Sequence, residues 1–252
     1  MSIFQAFVLG IVQGVTEFLP ISSSGFLILV PKFFGWEVQS LAFDAFVHLA
    51  TLAAVIVALS TDIKLAFTKQ RGLLWWVVLA TIPVLIGGFV LEEVLELSFR
   101  STEIVAYSFI VWGIVLYLVD RYAKRKTVAI EKTGLKRSLA IGVAQVVALV
   151  PGTSRSGITI TAGLATGLSR DVATRFSFLL GIPTIAAAGA LKLLQVYRGD
   201  AILDLLPALV GAIAAFITAF LTIKFLLAFL KSHSFAELAI VRVLLGILIL
   251  VI

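Results

Sequence analysis

Polar residues punctuate this chain instead of alternating along it. Apolar stretches run near 41 to 60, 73 to 91, 104 to 119, 172 to 194, 205 to 230 and 236 to 252. Each approaches the roughly 20 residues that a helix needs to cross about 30 Å of hydrocarbon. Two further stretches, near 3 to 34 and 138 to 167, are interrupted midway by polar clusters containing proline and glycine. Their arms are too short to span, which predicts re-entrant hairpins. Irregular backbone survives at membrane depth only where protein buries it or water reaches it, so each interruption should line a cavity. The expected fold is an all-α polytopic membrane protein.

The two interruptions resemble each other. Gly10-Ile11-Val12-Gln13 returns as Gly142-Val143-Ala144-Gln145, and Ser22-Ser23-Ser24-Gly25 returns as Ser154-Arg155-Ser156-Gly157, both at an offset of 132. The spans starting near 104 and 236 keep that offset. This predicts two homologous halves, 1–126 and 127–252, each one re-entrant hairpin plus three crossings, within one structural membrane domain. Three crossings are an odd number, so the second copy should be inverted relative to the first, as in transporter folds.

Composition narrows the class. Of 252 residues 61% are hydrophobic and 13% charged, and the mean hydropathy is +1.14, which excludes a soluble enzyme. The net charge of +6 is a topology signal and not a nucleic-acid footprint, because most of the basic residues lie between apolar segments. With the N-terminus on one side, the opposite side receives Lys64, Lys69, Arg71, Arg121, Lys124, Arg125, Lys126, Lys132, Lys136, Arg137, Arg170, Arg175 and Lys231. The N-terminal side receives only Lys32, Arg100, Lys192 and Arg198, with acids at Glu37, Glu92, Glu93, Glu96, Glu103, Asp200 and Asp204. Basic loops stay in the cytoplasm, so both termini should face outward from a plasma membrane. Cysteine is absent, which excludes disulfides, thiolate metal sites and cysteine nucleophiles.

Chemistry concentrates in the interruptions. Gln13 and Glu17, four apart, share one helical face; Pro20 ends that helix, and Ser22, Ser23 and Ser24 follow. A carboxylate this deep in an apolar arm costs roughly 2.5 to 3.5 kcal/mol and is functional by default. Its alternative role is a structural cap or pair. In Pro151-Gly152-Thr153-Ser154-Arg155-Ser156-Gly157-Ile158-Thr159, a guanidinium lies among hydroxyls and a glycine turn, donors that suit a phosphate group. A plain salt bridge to Glu17 is the alternative. Glu17 with Gln13 beside it either coordinates a divalent cation, Mg2+ or Ca2+, or acts as general base. His48, on one face with Asp44 in a full span, is a candidate proton shuttle with hydrogen-bonded packing as the alternative.

The runs at 13 to 25 and 151 to 159, with Phe176-Ser177-Phe178-Leu179-Leu180 and Pro183, resemble the undecaprenyl-diphosphate phosphatases of the bacitracin-resistance type, and the likeness spans nearly the whole chain. The resemblance implies hydrolysis of a C55 polyprenyl diphosphate to the monophosphate, recycling the carrier for cell-envelope synthesis and giving bacitracin resistance. By position, Gln13 and Glu17 match the Glu/Gln-x-x-x-Glu motif and Ser23 its active-site serine. Ser154, Arg155, Ser156 and Thr159 match the Pro-Gly-x-Ser-Arg-Ser motif and its trailing threonine, and Ser22 joins them as a substrate contact. One departure stands out: the family usually carries His directly after the first glycine turn, and this chain has Phe26. His48 is the nearest replacement in kind. Attack by Ser23 and attack by water both remain open, and a carrier that flips polyprenyl phosphate is the competing function. The expected partners are the polyprenyl diphosphate lipid and the membrane, with a homodimer as an open alternative and no nucleic acid.

Overall fold

A computed structural model describes residues 1–98, 101–124, 128–197 and 204–251, the side chains of 91–98 excepted. The expected boundary at 126/127 and the charges of Arg100, Arg125, Lys126, Arg198 and Asp200 lie outside the described residues, as do the side chains of Glu92, Glu93 and Glu96. The described chain is helical, in the order α1 (Ile3–Phe18), α2 (Ser23–Phe34), α3 (Leu41–Ala58), α4 (Ser60–Thr68), α5 (Arg71–Ser98), α6 (Thr102–Tyr122), α7 (Gly134–Val146), α8 (Arg155–Ala165), α9 (Arg170–Tyr197), α10 (Leu205–Phe229) and α11 (Ala236–Val251). Short 3-10 turns lie at Ile130–Lys132 and Val147–Leu149. Helices α3, α5, α6, α9 and α10 are long and apolar enough to cross a membrane. The sixth expected crossing, α11, is a helix of 16 residues, and α4 is a short amphipathic helix that the hydropathy pattern did not resolve.

Local chemistry sets the ends of the broken pairs. Ser2 and Gln5 form a reciprocal capping box that starts α1. Pro20 disfavours helical backbone in the residue before it, and Leu19 is accordingly extended. Ser22, at φ 81°, then redirects the chain into α2, and Ser154, at φ 71°, redirects it into α8. A shift of 132 carries α1, α2, α3, α5 and α6 onto α7, α8, α9, α10 and α11. The packing follows the same exchange: α1 lies along α10 as α7 lies along α5, α10 packs on α3 as α5 packs on α9, and α3–α9 and α6–α11 pair with each other.

The core is built from small residues and aromatic plugs. Phe18 packs edge-on against Phe178 at 5.1 Å, both fully buried between the halves. Large apolar side chains such as Trp75, Ile86, Ile213, Leu221 and Phe225 are exposed, as a lipid-facing perimeter requires. One polar lock closes an end of the bundle. Arg170 holds Asp120 in a two-point grip at 2.8 and 2.9 Å, and Asp120 also accepts from the Phe235 amide at 3.0 Å. That grip ties the end of α6, the start of α9 and the α10–α11 turn.

Close backbone approach explains the repeated glycines. A Cβ on Gly10 would collide with the Gly211 carbonyl oxygen, and one on Gly142 with that of Ala80. Gly10→Val and Gly142→Val should therefore each cost about 3 kcal/mol, near the top of the overpacking range, because backbone and not a side chain must yield. Gly72→Ala, where the nearest atom is 3.5 Å away, should cost nothing. Thermal unfolding in detergent checks this: equal melting temperatures for all three would refute the packing.

Candidate active site

The two interruptions converge. Gln13 and Glu17 lie on consecutive turns of α1, and Gln13 Nε2 donates to Glu17 Oε2 at 3.1 Å. Ser23, first residue of α2, donates through Oγ to the same oxygen at 2.6 Å. From the other half, Arg155 at the start of α8 donates through Nη2 to Glu17 Oε1 at 3.1 Å and through Nη1 to the Ser177 carbonyl at 3.1 Å. Both oxygens of Glu17 thus face donors, and three of them point at one carboxylate that is nearly buried. This stabilises the charged form where an unpartnered carboxylate could not persist.

His48 completes the cluster from α3. Its Nδ1 lies 2.7 Å from the Asp44 carbonyl. A carbonyl only accepts, so Nδ1 carries the proton and the neutral ring presents a bare Nε2 lone pair. That Nε2 is 4.0 Å from Glu17 Oε2. Asp44 in turn accepts from Gln39 at 3.2 Å and lies 3.7 Å from Lys192.

A cavity of about 210 Å³ opens onto these groups, lined by Glu17, Ser22, Ser23, Ser24, His48, Ser154, Arg155 and Thr184 with Ala148, Ile185 and Ala188. It suits a small polar headgroup and excludes a long tail. Of the residues expected to contact substrate, Gln13, Ser156 and Thr159 are fully or almost fully buried and lie behind the wall. Ser156 donates to the Leu19 carbonyl at 3.0 Å, joining the two turns. Thr159 donates to the Arg155 carbonyl at 2.8 Å and meets the Ser177 hydroxyl at 2.7 Å. The Ser156 hydroxyl is thus spent on the opposite turn and that of Thr159 on the Arg155 backbone, so both shape the site from outside the cavity. Thr184 and Ser24 line it although neither was expected as a substrate contact; Ser24 continues the serine run of the first interruption, and Thr184 directly follows Pro183.

Phe26 faces elsewhere. It lines a separate apolar groove of about 710 Å³ between α2, α6 and α11, with Phe33, Phe109, Leu245 and Leu248 along it and Lys32, Thr102 and Glu103 at its edge. Its ring centroid is 5.8 Å from that of Phe109. An aromatic partner thus holds the side chain in the groove, and Phe26 does not line the cavity that contains the serines.

The donor set around Glu17 is rich in oxygen. Gln13 Oε1 is buried without a partner, on the amide whose Nε2 bonds the Glu17 carboxylate, and the neighbouring hydroxyls add oxygen donors. A hard, oxygen-preferring ion such as Mg2+ or Ca2+ fits this chemistry. Among the described residues no group of three or more His, Asp or Glu gathers, so phosphate oxygens would have to complete its shell.

The chain matches a family model described as bacitracin resistance protein BacA over residues 6–248. It is 41% identical over 258 residues to an undecaprenyl-diphosphatase of Marinobacter nauticus, covering 98% of this chain and 97% of that protein. An undecaprenyl-diphosphatase of Pelotomaculum thermopropionicum is 41% identical over 260 residues, covering 100% and 97%. One of Alteromonas mediterranea is 41% identical over 262 residues, covering 99% and 98%.

The turns themselves make a prediction. Positive φ in a non-glycine residue costs about 1 to 3 kcal/mol. Ser22 has no capping bond to offset that, whereas Ser154 Oγ accepts from the Gly157 amide at 3.1 Å. Ser22→Gly should raise the unfolding temperature, and Ser154→Gly should raise it less, because it forfeits a cap worth roughly a few tenths of a kcal/mol against glycine. A lower melting temperature for Ser22→Gly would show that its backbone is unstrained.

Proposed function

The chain belongs to the BacA family of bacitracin resistance proteins, and from that premise we infer that it is an integral membrane undecaprenyl-diphosphate phosphatase, releasing inorganic phosphate and returning the lipid monophosphate. The observation that carries the assignment of its site is the convergence of Glu17, Ser23 and Arg155 on one cavity. We assign Arg155 to hold the terminal phosphate, with Ser22, Ser154 and Thr184 supplying further hydroxyls. Ser23 Oγ, already donating to Glu17 at 2.6 Å, attacks the terminal phosphorus. The new O–P bond forms as the bridging P–O bond breaks, the Ser23 proton passes to Glu17, and the lipid monophosphate leaves. Water then cleaves the phosphoserine to free phosphate. His48 Nε2 is placed to relay the proton from Glu17. A divalent cation held by Glu17 and Gln13 Oε1 would neutralise phosphate charge.

The prenyl tail lies between helices, and the apolar groove beside Phe26, three residues beyond Ser23, has the lining for it. The helix correspondence at 132 residues supports two halves, 1–126 and 127–252, built as an inverted repeat. All of these groups come from one chain, so the reaction as drawn does not need the homodimer.

Phosphate release by the purified protein from a C55 diphosphate, with and without EDTA, tests this reading. Glu17→Ala and Arg155→Lys should abolish release in folded protein, the latter because an ammonium cannot reproduce the fork. His48→Gln should lower kcat roughly a hundredfold or more and flatten its pH dependence. Near-parental turnover in Glu17→Ala or Arg155→Lys would sink the assignment, and lipid binding without any release by the parent would point to a carrier.

Topology is tested separately, in a background free of cysteine. A cysteine at Glu37, between α2 and α3, should react with an impermeant reagent in intact cells, and one at Lys231, between α10 and α11, should not. The reverse labelling would place both termini in the cytoplasm.

A further inference from the structure

One basic residue of the membrane body takes no part in the cavity and has no carboxylate partner among the described residues. Arg242, midway along α11, is fully buried, and its guanidinium is turned onto backbone oxygens. Nη1 donates to the Pro20 carbonyl at 3.2 Å. Nη2 donates to the carbonyls of Gly152 at 2.6 Å, Thr153 at 2.5 Å and Ser108 at 3.4 Å. Pro20 belongs to the α1–α2 turn, and Gly152 and Thr153 belong to the α7–α8 turn. A single side chain, from a helix in neither hairpin, therefore grips both.

The places it grips are the ones that need holding. Pro20 is two residues before Ser22 and Thr153 immediately precedes Ser154, the two non-glycine residues with positive φ among those described. Such backbone persists only where its surroundings over-determine it. At membrane depth no water replaces a lost donor to a turn carbonyl. A planar fork with five N–H groups can serve several oxygens at fixed angles, which a compact ammonium cannot. The shift of 132 puts Ile110 at the matching place in α6, so the clamp is supplied once, by the second half, for both turns.

We propose that Arg242 is a positioning residue of the phosphatase: it holds the two serine turns against each other and thereby sets the reach between Ser23 and Glu17 on one hairpin and Arg155 on the other. The inference rests on reading the cavity as the active site. Arg242 does not line that cavity; it acts through the backbone that presents Ser22, Ser23, Ser154 and Arg155.

The test uses the full-length protein in detergent with C55 diphosphate, comparing the parent with Arg242→Lys and Arg242→Met. Unfolding temperature, kcat, KM and inhibition by orthovanadate are measured on each. Arg242→Lys should stay folded, keep KM within about threefold because the tail still binds, and lose about a hundredfold in kcat, the scale of an ångström misplacement. Orthovanadate, which needs the assembled phosphate site, should weaken in parallel. If Arg242→Met fails to fold, Arg242→Lys decides. Parental kcat per folded molecule in the lysine variant, or loss of fold in both variants, would make Arg242 a determinant of the fold alone and overturn the proposal. An inactive parent would sink the active-site reading and this inference with it, whereas an active parent with an equally active lysine variant sinks only this inference.

Discussion

The ion pair between Glu17 and Arg155, 3.1 Å across the two halves of the chain, is the contact on which the rest of the arrangement depends. Neither charge could stay at this depth alone, since each would lose its hydration without replacement. Together, with Ser23 and Gln13 on the carboxylate and the Ser177 carbonyl on the guanidinium, they are stable only if both hairpins arrive at the same place. The pair therefore couples local backbone geometry to the assembly of the halves.

That coupling explains why the turns are built as they are. Short helical arms bring Glu17 and Arg155 to interruption points that irregular backbone alone would make costly. Ser156 bonds the opposite turn through the Leu19 carbonyl, and Arg242 gathers carbonyls from both. The outcome is a small polar cavity whose charges balance before any ligand enters. A phosphate anion can then exchange with Glu17 as the partner of Arg155, while Ser23 stays within 2.6 Å of the base that would take its proton. Positioning and charge neutralisation are the larger part of what phosphoryl transfer asks of a protein.

Much of this could be read from residue patterns. The interruptions, the 132-residue echo and the pairing of Gln13 with Glu17 follow from hydropathy and helical spacing, and the architecture follows because membranes allow so few ways to satisfy backbone groups. What could not be read depends on side-chain direction. Ser156 and Thr159 sit in the right motif yet spend their hydroxyls on backbone, and Phe26 turns to Phe109. Spacing along a turn does not say which wall a side chain joins. Arg242 was visible as an isolated charge within an apolar run, and the rule that an intramembrane charge is functional by default applies to it as much as to Glu17; its partners, carbonyls from three separate segments, have no sequence signature.

The central claim is that both interruptions build one phosphate site. An experimental structure with a bound non-hydrolysable C55 diphosphate, its bridging oxygen replaced by methylene, tests it most directly. The account predicts the terminal phosphate in the cavity of about 210 Å³, within hydrogen-bond distance of the Arg155 guanidinium and Ser23 Oγ. A headgroup lodged instead beside Lys32 at the edge of the apolar groove, with Glu17 and Arg155 still paired and untouched, would contradict it.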